Sequence, residues 1–536
     1  MRVVKAFAGG TPAAVLFVLP LLASLGFVLT STLDFSAWAA VWHHPQLAGG
    51  ALLSLLSASF AAGLAATVAL LVIASIRSRG LSAMLAVPHL AFAIGFGFLL
   101  MPSGILARLI AVLFTGWTSP PPWVTTHDPS AVALTVALAI KESGFLLFVL
   151  TSILAREDVQ QNFASQAQVA TSLGHGIRSI WLRLYLPQLL PLLVWPLAIV
   201  FIYAFTVVDM ALVLGPTQPP TLADLVWSDI NSAHVQDNAR GGAGAVFLAL
   251  VAAGVICSVV VIARLARPMV RHWWAKGPGA EKALPAIGGP LWRGLQVIYL
   301  LVFAVLALLS LSQNWPFPLL LPLHLDGGAW RAVAHTPAPL LLSLLLAVFT
   351  SLSSLVILVL WLETVSARWD KALLGFSLVM LGLPAVLIGL GQYHLFLRLG
   401  LTGTVLGLFL AHLMPVVAYM FIMLQGPYRA SDPRWRDVAY GLREGHLRFL
   451  TRVKWRLLKG PILASMAVGF AVSFGQFVPA QLLAAGRLST LPMEAVTLSS
   501  GSNRPLAAAF ALLLMVPPLM VFLGAGVLGK PRWRIS

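Results

Sequence analysis

Long apolar runs recur along the whole chain, and each is long enough to cross a lipid bilayer as a helix. A bilayer core of about 30 Å needs about 20 apolar helical residues, and in lipid only helices or closed barrels satisfy their backbone hydrogen bonds. The runs lack the roughly ten-residue alternating segments of an outer-membrane barrel. With 59% hydrophobic residues, 10% charged residues and a mean hydropathy of +0.92, the sequence predicts an all-α polytopic membrane protein.

Twelve spans are predicted, six on either side of a polar segment at 264–293 in which glycine, proline and charged residues replace the apolar pattern. That segment is interpreted as a cytoplasmic linker between a first repeat at 1–263 and a second at 294–536. Six spans in the first repeat give both repeats the same orientation, so they are expected to be parallel. The predicted spans lie near 12–30, 50–76, 83–101, 131–152, 188–214, 243–263, 294–313, 338–362, 372–397, 402–425, 461–483 and 506–528.

The basic residues predict the orientation, because loops rich in Lys and Arg stay on the cytoplasmic side. With the first span entering from the cytoplasm, most of the 34 Lys and Arg residues fall on that side. We therefore expect a multi-pass protein of the bacterial inner membrane with both termini in the cytoplasm. The net charge of +17 follows from this topology, and since the chain has no basic soluble domain, no nucleic-acid partner is expected.

A loop at about 155–187, after the fourth predicted span, carries the most informative motif. Its pattern is a Gln-Val-Ala triplet, three residues, a glycine, nine residues, a leucine, one residue and Leu-Pro. It resembles the EAA loop of binding-protein-dependent ABC importer permeases, with Gln and Val in place of Glu and Ala. Glycine permits the turn of such a loop, and proline fits the first turn of the next helix. The pattern residues are Gln168, Val169, Ala170, Gly174, Leu184, Leu186 and Pro187.

A second loop, at about 426–460, repeats this pattern 269 residues later, close to half of the chain, as duplication and fusion of one unit would give. This copy is degenerate: Arg443 replaces the glycine, and Trp455-Arg456 replaces Leu-Pro. Its basic residues are expected to contact anionic membrane lipid. We expect it to dock a partner more weakly than the first loop. Its pattern residues are Asp437, Val438, Ala439, Arg443 and Val453.

The resemblance covers nearly the whole chain. The fused form looks like the permeases for thiamine, ferric iron and polyamines, and is most similar to a fused permease related to the thiamine type. It implies a type I importer fold in which a periplasmic binding protein delivers a small solute. Two copies of an ABC ATPase subunit would dock on the coupling loops and hold ATP and Mg. The chain itself is expected to bind no cofactor.

Two other function classes, a secondary carrier and a membrane enzyme, compete with this one. A twelve-helix secondary carrier needs no ATPase dock and usually carries ion-coupling carboxylates in its spans. An enzyme should show clustered catalytic residues, and no catalytic residue is predicted. The segment Gly524–Lys530 is close to a phosphate-binding loop, but proline follows the lysine and the segment ends a predicted span instead of joining a strand to a helix. We therefore expect a transport subunit that is not an enzyme.

Five polar residues inside the spans are candidates for the translocation path, because charged groups in lipid are costly and usually functional. Asp209, beside aromatic residues, would suit a cation, and Gln476 is matched to it in the second half. Lys141 either contributes to the path or pairs structurally with Glu142 or Asp209. His412 is either a packed residue or part of the path, and the substrate charge stays open.

No metal site is predicted. His43 and His44 have no third ligand nearby, and Cys257 is the sole cysteine. The stretch from Arg108 to Trp117 is expected to form a short helix on the outer membrane surface.

Overall fold

The computed structural model describes 33–74, 81–154, 156–275 and 287–530, together with residues 22, 23, 26, 27 and 30. The predicted span at 12–30 lies almost wholly outside these residues, as does the middle of the linker at 276–286.

The first half contains both long and short helices, because several helical stretches are interrupted and continue as short helices. They are α1 (Phe35–Trp42), α2 (Leu47–Ile73), α3 (Leu81–Ala86), α4 (His89–Leu100), α5 (Ile105–Ile110), α6 (Val132–Leu154), α7 (Glu157–Ser172), α8 (Ile177–Ile180), α9 (Leu186–Thr206), α10 (Asp209–Leu214), α11 (Leu222–Ile230) and α12 (Val235–Ala275), with π-helical turns at Ala111–Thr115 and Trp181–Tyr185.

The second half repeats this arrangement and adds a small hairpin of two antiparallel strands. Its elements are α13 (Gly288–Ser310), β1 (Ser312–Asn314), β2 (His324–Leu325), α14 (Gly328–His335), α15 (Ala338–Thr364), a 3-10 turn (Ala367–Trp369), α16 (Asp370–Gly382), α17 (Ala385–Arg398), α18 (Val405–Arg429), α19 (Arg434–Gly441), α20 (His446–Phe449), a π-helical turn (Leu450–Lys454), α21 (Trp455–Leu457), α22 (Lys459–Phe474), α23 (Val478–Ala484), α24 (Leu491–Ser499) and α25 (Arg504–Leu528).

Nine helices in the described part of the chain are long and apolar enough to cross a membrane, or eleven if each of two bent pairs is one span. These eleven correspond to the predicted spans from 50–76 onward. The prediction of an all-α polytopic membrane protein is therefore confirmed. The bent pairs are Ala367–Gly382 with Ala385–Arg398, at 104°, and His446–Leu457 with Lys459–Phe474, at 79°.

Four spans that were predicted as continuous are interrupted, so the prediction of unbroken helices is wrong there. Pro88 and Pro384 explain two interruptions, because proline lacks an N–H and disfavours helix at the residue before it. The other two lack a proline within the break. The interruptions fall at Val87-Pro88, Val207-Val208, Leu383-Pro384 and Gly475–Phe477.

The two halves share one buried apolar core. Phe92 and Phe205 of the first half belong to the same cluster of buried side chains as Phe474 and Phe510 of the second. Within each half, the packing is alike: α2 packs along α6 and α9, and α15 packs along α18 and α22. The halves are therefore repeats in structure that form one folded body.

One tertiary hydrogen bond occurs in both halves. The Leu222 N–H, at the start of α11, donates to Ser54 Oγ at 2.7 Å. The Leu491 N–H, at the start of α24, donates to Ser343 Oγ at 2.8 Å. Both donors belong to the first turn of a helix and lack an intrahelical acceptor, so each serine holds a short helix against a long one.

We expect Ser54→Ala and Ser343→Ala each to lower the free energy of unfolding by about 1–3 kcal/mol, because each leaves a buried N–H without an acceptor. Ser57→Ala is the matched control, since the Ser57 hydroxyl bonds only a carbonyl of its own helix. Denaturant unfolding of the detergent-solubilised protein measures the difference. Equal stability of the Ser54 and Ser57 variants would contradict the assignment.

Candidate functional site

The first predicted coupling loop folds as a helix, a left-handed turn and a second helix. Asp158 accepts a hydrogen bond from Arg156, which lowers the pKa of that carboxyl and keeps a negative charge at the start of α7, where it is favourable. Helix α7 ends in a turn at Gly174, which has φ of +83°. The Gly174 N–H donates to Thr171 O at 2.9 Å. No atom of the described residues lies within 4 Å of a Cβ at Gly174, so backbone conformation, not space, favours glycine here.

The second loop makes the same turn without glycine. Arg443 has φ of +56°, and its N–H donates to Tyr440 O at 3.0 Å. The following N–H, from Glu444, donates to Ala439 O at 3.0 Å, as His175 donates to Ala170 O in the first loop. The replacement of glycine by arginine therefore leaves the turn in place, at a strain of about 1–2 kcal/mol for a left-handed residue with a side chain.

The resemblance of the loops continues past the turn and then ends. The π-helical turns at Trp181–Tyr185 and Leu450–Lys454 are again 269 residues apart. Pro187 then lies in the first turn of α9, which continues unbroken to Thr206. In the second loop, which has Trp455-Arg456 at this place, the chain bends by 79° between α21 and α22.

Each turn presents two exposed apolar side chains spaced four residues apart, and therefore on one face of the helix. In the first loop, Val169 is 60% and Leu173 is 69% exposed. In the second, Val438 is 57% and Leu442 is 73% exposed. The equivalent side chains are thus exposed to a similar extent at both turns.

The remaining pattern residues lie around these side chains. Ala170 is half-buried, whereas Ala439 is 6% exposed and packs with Phe449 and Leu450. The polar residues that begin the two patterns, Gln168 and Asp437, are exposed. Nearer the membrane helices, the side chains of Leu184, Leu186 and Val453 are half-buried, and Pro187 is buried.

The loops are held to the helical bundle by different chemistry at equivalent positions. In the first, the Tyr185 ring stacks on Phe163, with ring centroids 4.6 Å apart. In the second, Lys454 replaces this tyrosine and forms an ion pair of 2.6 Å with Glu363. Lys454 also lies over the Tyr428 ring, 4.0 Å from its centroid. Both contacts place the exposed turn at a defined position relative to the spans.

Part of the basic run of the second loop has acidic partners within the protein. Arg448 and Arg452 lie 3.3 and 3.7 Å from the Glu444 carboxylate, and Lys454 is paired with Glu363. Two carboxylates thus partner three of the basic side chains, and Arg448 and Arg452 share one of them.

The breaks in the helices of one half lie against the other half. A Cβ atom at Gly475 would lie 3.6 Å from Pro88 Cβ, and one at Gly382 would lie 3.7 Å from Ile202 Cδ1. The Phe477 ring contacts the Trp227 ring, with centroids 5.6 Å apart. The interrupted segments therefore meet at a junction between the two halves.

Lys141 caps one of these breaks. Its buried ammonium donates to Val87 O at 2.6 Å and to Met84 O at 3.2 Å. These carbonyls belong to the end of α3, where the break before His89 leaves them without helical partners. No ion pair joins Lys141 to Glu142 or Asp209 in the part of the chain described. Lys141 therefore bonds backbone carbonyls and does not form the structural pair with either acid that the sequence left open.

Glu142 pairs with a residue that sequence reasoning missed. Its Oε1 lies 3.0 Å from His89 Nε2, and the His89 ring packs on Tyr203 with centroids 4.6 Å apart. Asp209 begins α10 directly after a break. One acidic side chain and one aromatic ring thus contact the histidine. In the sequence, the position of this histidine directly after Pro88 was the feature that could have indicated the pairing.

In the second half, His412 and Gln476 also come together. His412 Nδ1 lies 3.0 Å from Ser473 Oγ, and Gln476 Nε2 donates to His412 O at 3.3 Å. His412 Nε2 and Gln476 Oε1 are buried and have no hydrogen-bond partner among the described residues. The first residue of α23, equivalent to Asp209 at the start of α10, is Val478. Asp209 and Val478 are 269 residues apart, the same offset as the two loops, and Gln476 lies two residues before this equivalent position.

Among the described residues, no group of three His, Cys, Asp or Glu side chains could hold a metal ion.

Known proteins with similar sequences are membrane permeases. The inner membrane ABC transporter permease protein YnjC of Escherichia coli is 30% identical over 520 residues, covering 95% of this chain and 94% of YnjC. The molybdenum transport system permease proteins ModB of Mycobacterium bovis and Mycobacterium tuberculosis are each 28% identical over 261 residues. That match covers 44% of this chain and 94% of ModB, so ModB corresponds to one half. No protein-family model matches the chain.

We expect Lys141→Met to lower the free energy of unfolding by about 1–3 kcal/mol, because it leaves the end of α3 without its donor. Lys371→Met, at an exposed lysine of α16, is the control and should be nearly neutral. Adding Asp209→Asn to Lys141→Met should restore nothing, since these residues form no ion pair. Recovery of stability in the double variant, measured by denaturant unfolding, would instead indicate a charge pair.

Proposed function

Because the chain belongs to the family of ABC transporter permeases, we propose that its exposed turns at Gly174 and Arg443 each bind one ATPase subunit. The chain is the permease subunit of an ABC importer, a multi-pass protein of the inner membrane built from two fused repeats. This assignment does not favour the alternative of a secondary carrier. Energy from ATP would reach the solute path through the two turns.

The equivalence of the turns carries this proposal. Stretches that differ in sequence, Ala170–His175 and Ala439–Glu444, adopt the same left-handed turn with the same hydrogen bonds. Each exposes a valine and a leucine beside it. Burying such a pair against a partner removes apolar surface from water, at about 1.5–3 kcal/mol for each side chain that becomes fully buried. Two matching surfaces support two copies of one ATPase subunit per chain.

ATP and Mg would be bound by the ATPase and not by this chain. The glycines of Gly524–Lys530 that resemble a phosphate-binding loop lie within or directly after α25. There they provide no strand-to-helix turn of the kind that cradles phosphate. This supports a transport subunit without hydrolytic activity of its own.

The junction of the helix breaks is the proposed solute path. Interrupted helices are tolerated at membrane depth where they are buried in protein or line a cavity, and such segments commonly bind transported solutes. The acidic side chains of Glu142 and Asp209 lie on one side of this junction, and His412 and Gln476 lie in the other half. Backbone carbonyls hold the Lys141 ammonium, so this lysine does not pair with the acidic groups. The acidic groups therefore support a cationic solute, although the name of ModB assigns molybdenum to that relative.

The orientation follows from the position of the loops. Gly529, directly after α25, lies against Gly460, at the end of the second coupling loop. ATPase subunits would bind at this end, which we propose is cytoplasmic together with both termini. A periplasmic binding protein would then deliver the solute at the opposite end.

Cysteine crosslinking tests the docking proposal. In a Cys257→Ala background, which removes the exposed natural cysteine, we expect Val169→Cys and Val438→Cys to crosslink to the ATPase with comparable yields. The two side chains are equally exposed at equivalent places. Ala439→Cys, in the same loop but buried, is the matched control and should crosslink poorly.

Crosslinking at Val169→Cys alone would show that the second loop has lost its partner. Failure at both positions, with the complex intact, would refute the coupling-loop assignment. ATP hydrolysis by the purified chain alone would refute the proposal that only the ATPase subunit hydrolyses ATP.

A further inference from the structure

A cavity of about 170 Å³ lies at the end of the bundle opposite the coupling loops. Helix α25 runs about 37 Å, at 1.5 Å per residue, from Arg504 to the coupling end near Gly460. The cavity lies beside Arg504, between α5 of the first half and α13 of the second. Its polar lining includes Ser103, Arg108, Ser502 and Arg504.

Arg108 projects into this region as a buried cation that is 5% exposed. Its guanidinium donates to four backbone carbonyl groups: to Ser103 O at 2.9 Å, Leu319 O at 2.6 Å, Pro316 O at 2.7 Å and Trp315 O at 2.8 Å. It also lies over the Trp315 ring, 4.9 Å from the centroid. Carbonyl dipoles and a ring face orient the group, but none of them carries a negative charge.

A second guanidinium lies close to the first. Arg504 Nη1 donates to Ser103 Oγ at 2.9 Å, and Arg108 Nε donates to the carbonyl of the same serine, so both arginines contact Ser103. Neither arginine forms an ion pair with a carboxylate within the described ranges. Two like charges at a partly buried place are unfavourable unless an anion joins them. Arginine pairs are also well suited to phosphate, which accepts several charge-assisted hydrogen bonds.

The surroundings of the cavity are apolar and exposed, which favours lipid over a soluble anion. Inside, Phe98, Val305 and Leu309 form its apolar wall. On one side, the π-helical turn after α5 exposes Leu113 and Phe114, where sequence analysis predicted a surface helix. On the other, the segment between β1 and β2 exposes a row of leucines. These are Leu319, Leu321 and Leu323, followed by Leu325 in β2.

We propose that this cavity binds the phosphate headgroup of an anionic phospholipid, with Arg108 and Arg504 contacting the phosphate. The apolar wall accommodates the glycerol and the first methylenes of the acyl chains. A carboxylate of a soluble binding protein would satisfy the arginines but not the apolar wall. Since α4, α5, α13 and α25 all reach this site, the bound lipid joins the two halves at the end away from the ATPase.

Native mass spectrometry of the full-length protein in detergent measures this binding. Phosphatidylglycerol is compared with phosphatidylcholine of the same acyl chains and with inorganic phosphate. We expect Arg504→Gln to weaken phosphatidylglycerol binding about fivefold, as loss of one interfacial charge predicts. Arg504→Lys should retain most of it. Arg398→Gln, at another exposed arginine, is the matched control and should bind like the unaltered protein.

Arg504 is chosen because it is exposed and makes one hydrogen bond, so its variants should fold, whereas Arg108 holds the chain between β1 and β2. Equal binding of phosphatidylcholine, or unchanged binding by Arg504→Gln, would overturn the proposal. Binding of inorganic phosphate alone with the same dependence on Arg504 would assign a free anion. Loss of binding-protein affinity with lipid binding intact would assign a protein carboxylate. Both results would overturn the assignment to lipid.

Discussion

The fold depends on satisfying backbone hydrogen bonds where helices are interrupted inside an apolar bundle. At the first interruption, Pro88 ends α3, and the Lys141 ammonium supplies hydrogen bonds to Met84 O and Val87 O. A charge at this depth is otherwise costly. Here it is held by the carbonyl end of a helix, where a cation is favoured. The buried lysine therefore stabilises a broken helix.

The same constraint explains why the halves form one core. Broken segments are tolerated in a membrane when protein covers them, and each half covers breaks in the other, as Gly475 lies against Pro88. A solute passing between the halves would meet these segments and the side chains next to them. The polar groups there differ between the halves: Glu142 and Asp209 lie in one, His412 and Gln476 in the other. A fused chain permits this asymmetry because its two halves can diverge independently.

Hydropathy predicted the positions of the spans because it reports how many consecutive apolar residues are available. It did not predict where helices break. Pro88 and Pro384 were visible in the sequence, but each lies inside an apolar run, and Val207-Val208 has no residue that marks a break. The pairing of Glu142 with His89 is a contact between distant segments that no local pattern encodes.

Residue spacing predicted the helix, turn and second helix of both loops, since the motif is local. At Arg443 the left-handed turn is maintained by the hydrogen bonds around it despite the missing glycine. The chemistry that anchors the second loop was not predictable, since Lys454 pairs with Glu363, 91 residues earlier in the chain. Equivalent positions thus keep their geometry while the residues that maintain it change.

The central claim is that one chain provides two equivalent docking surfaces. Its most direct test is the mass of the complex that the purified chain forms with its ATPase in detergent and nucleotide, measured by native mass spectrometry. The account predicts one permease chain with two ATPase subunits. A complex with one ATPase subunit per chain would contradict the equivalence of the two loops.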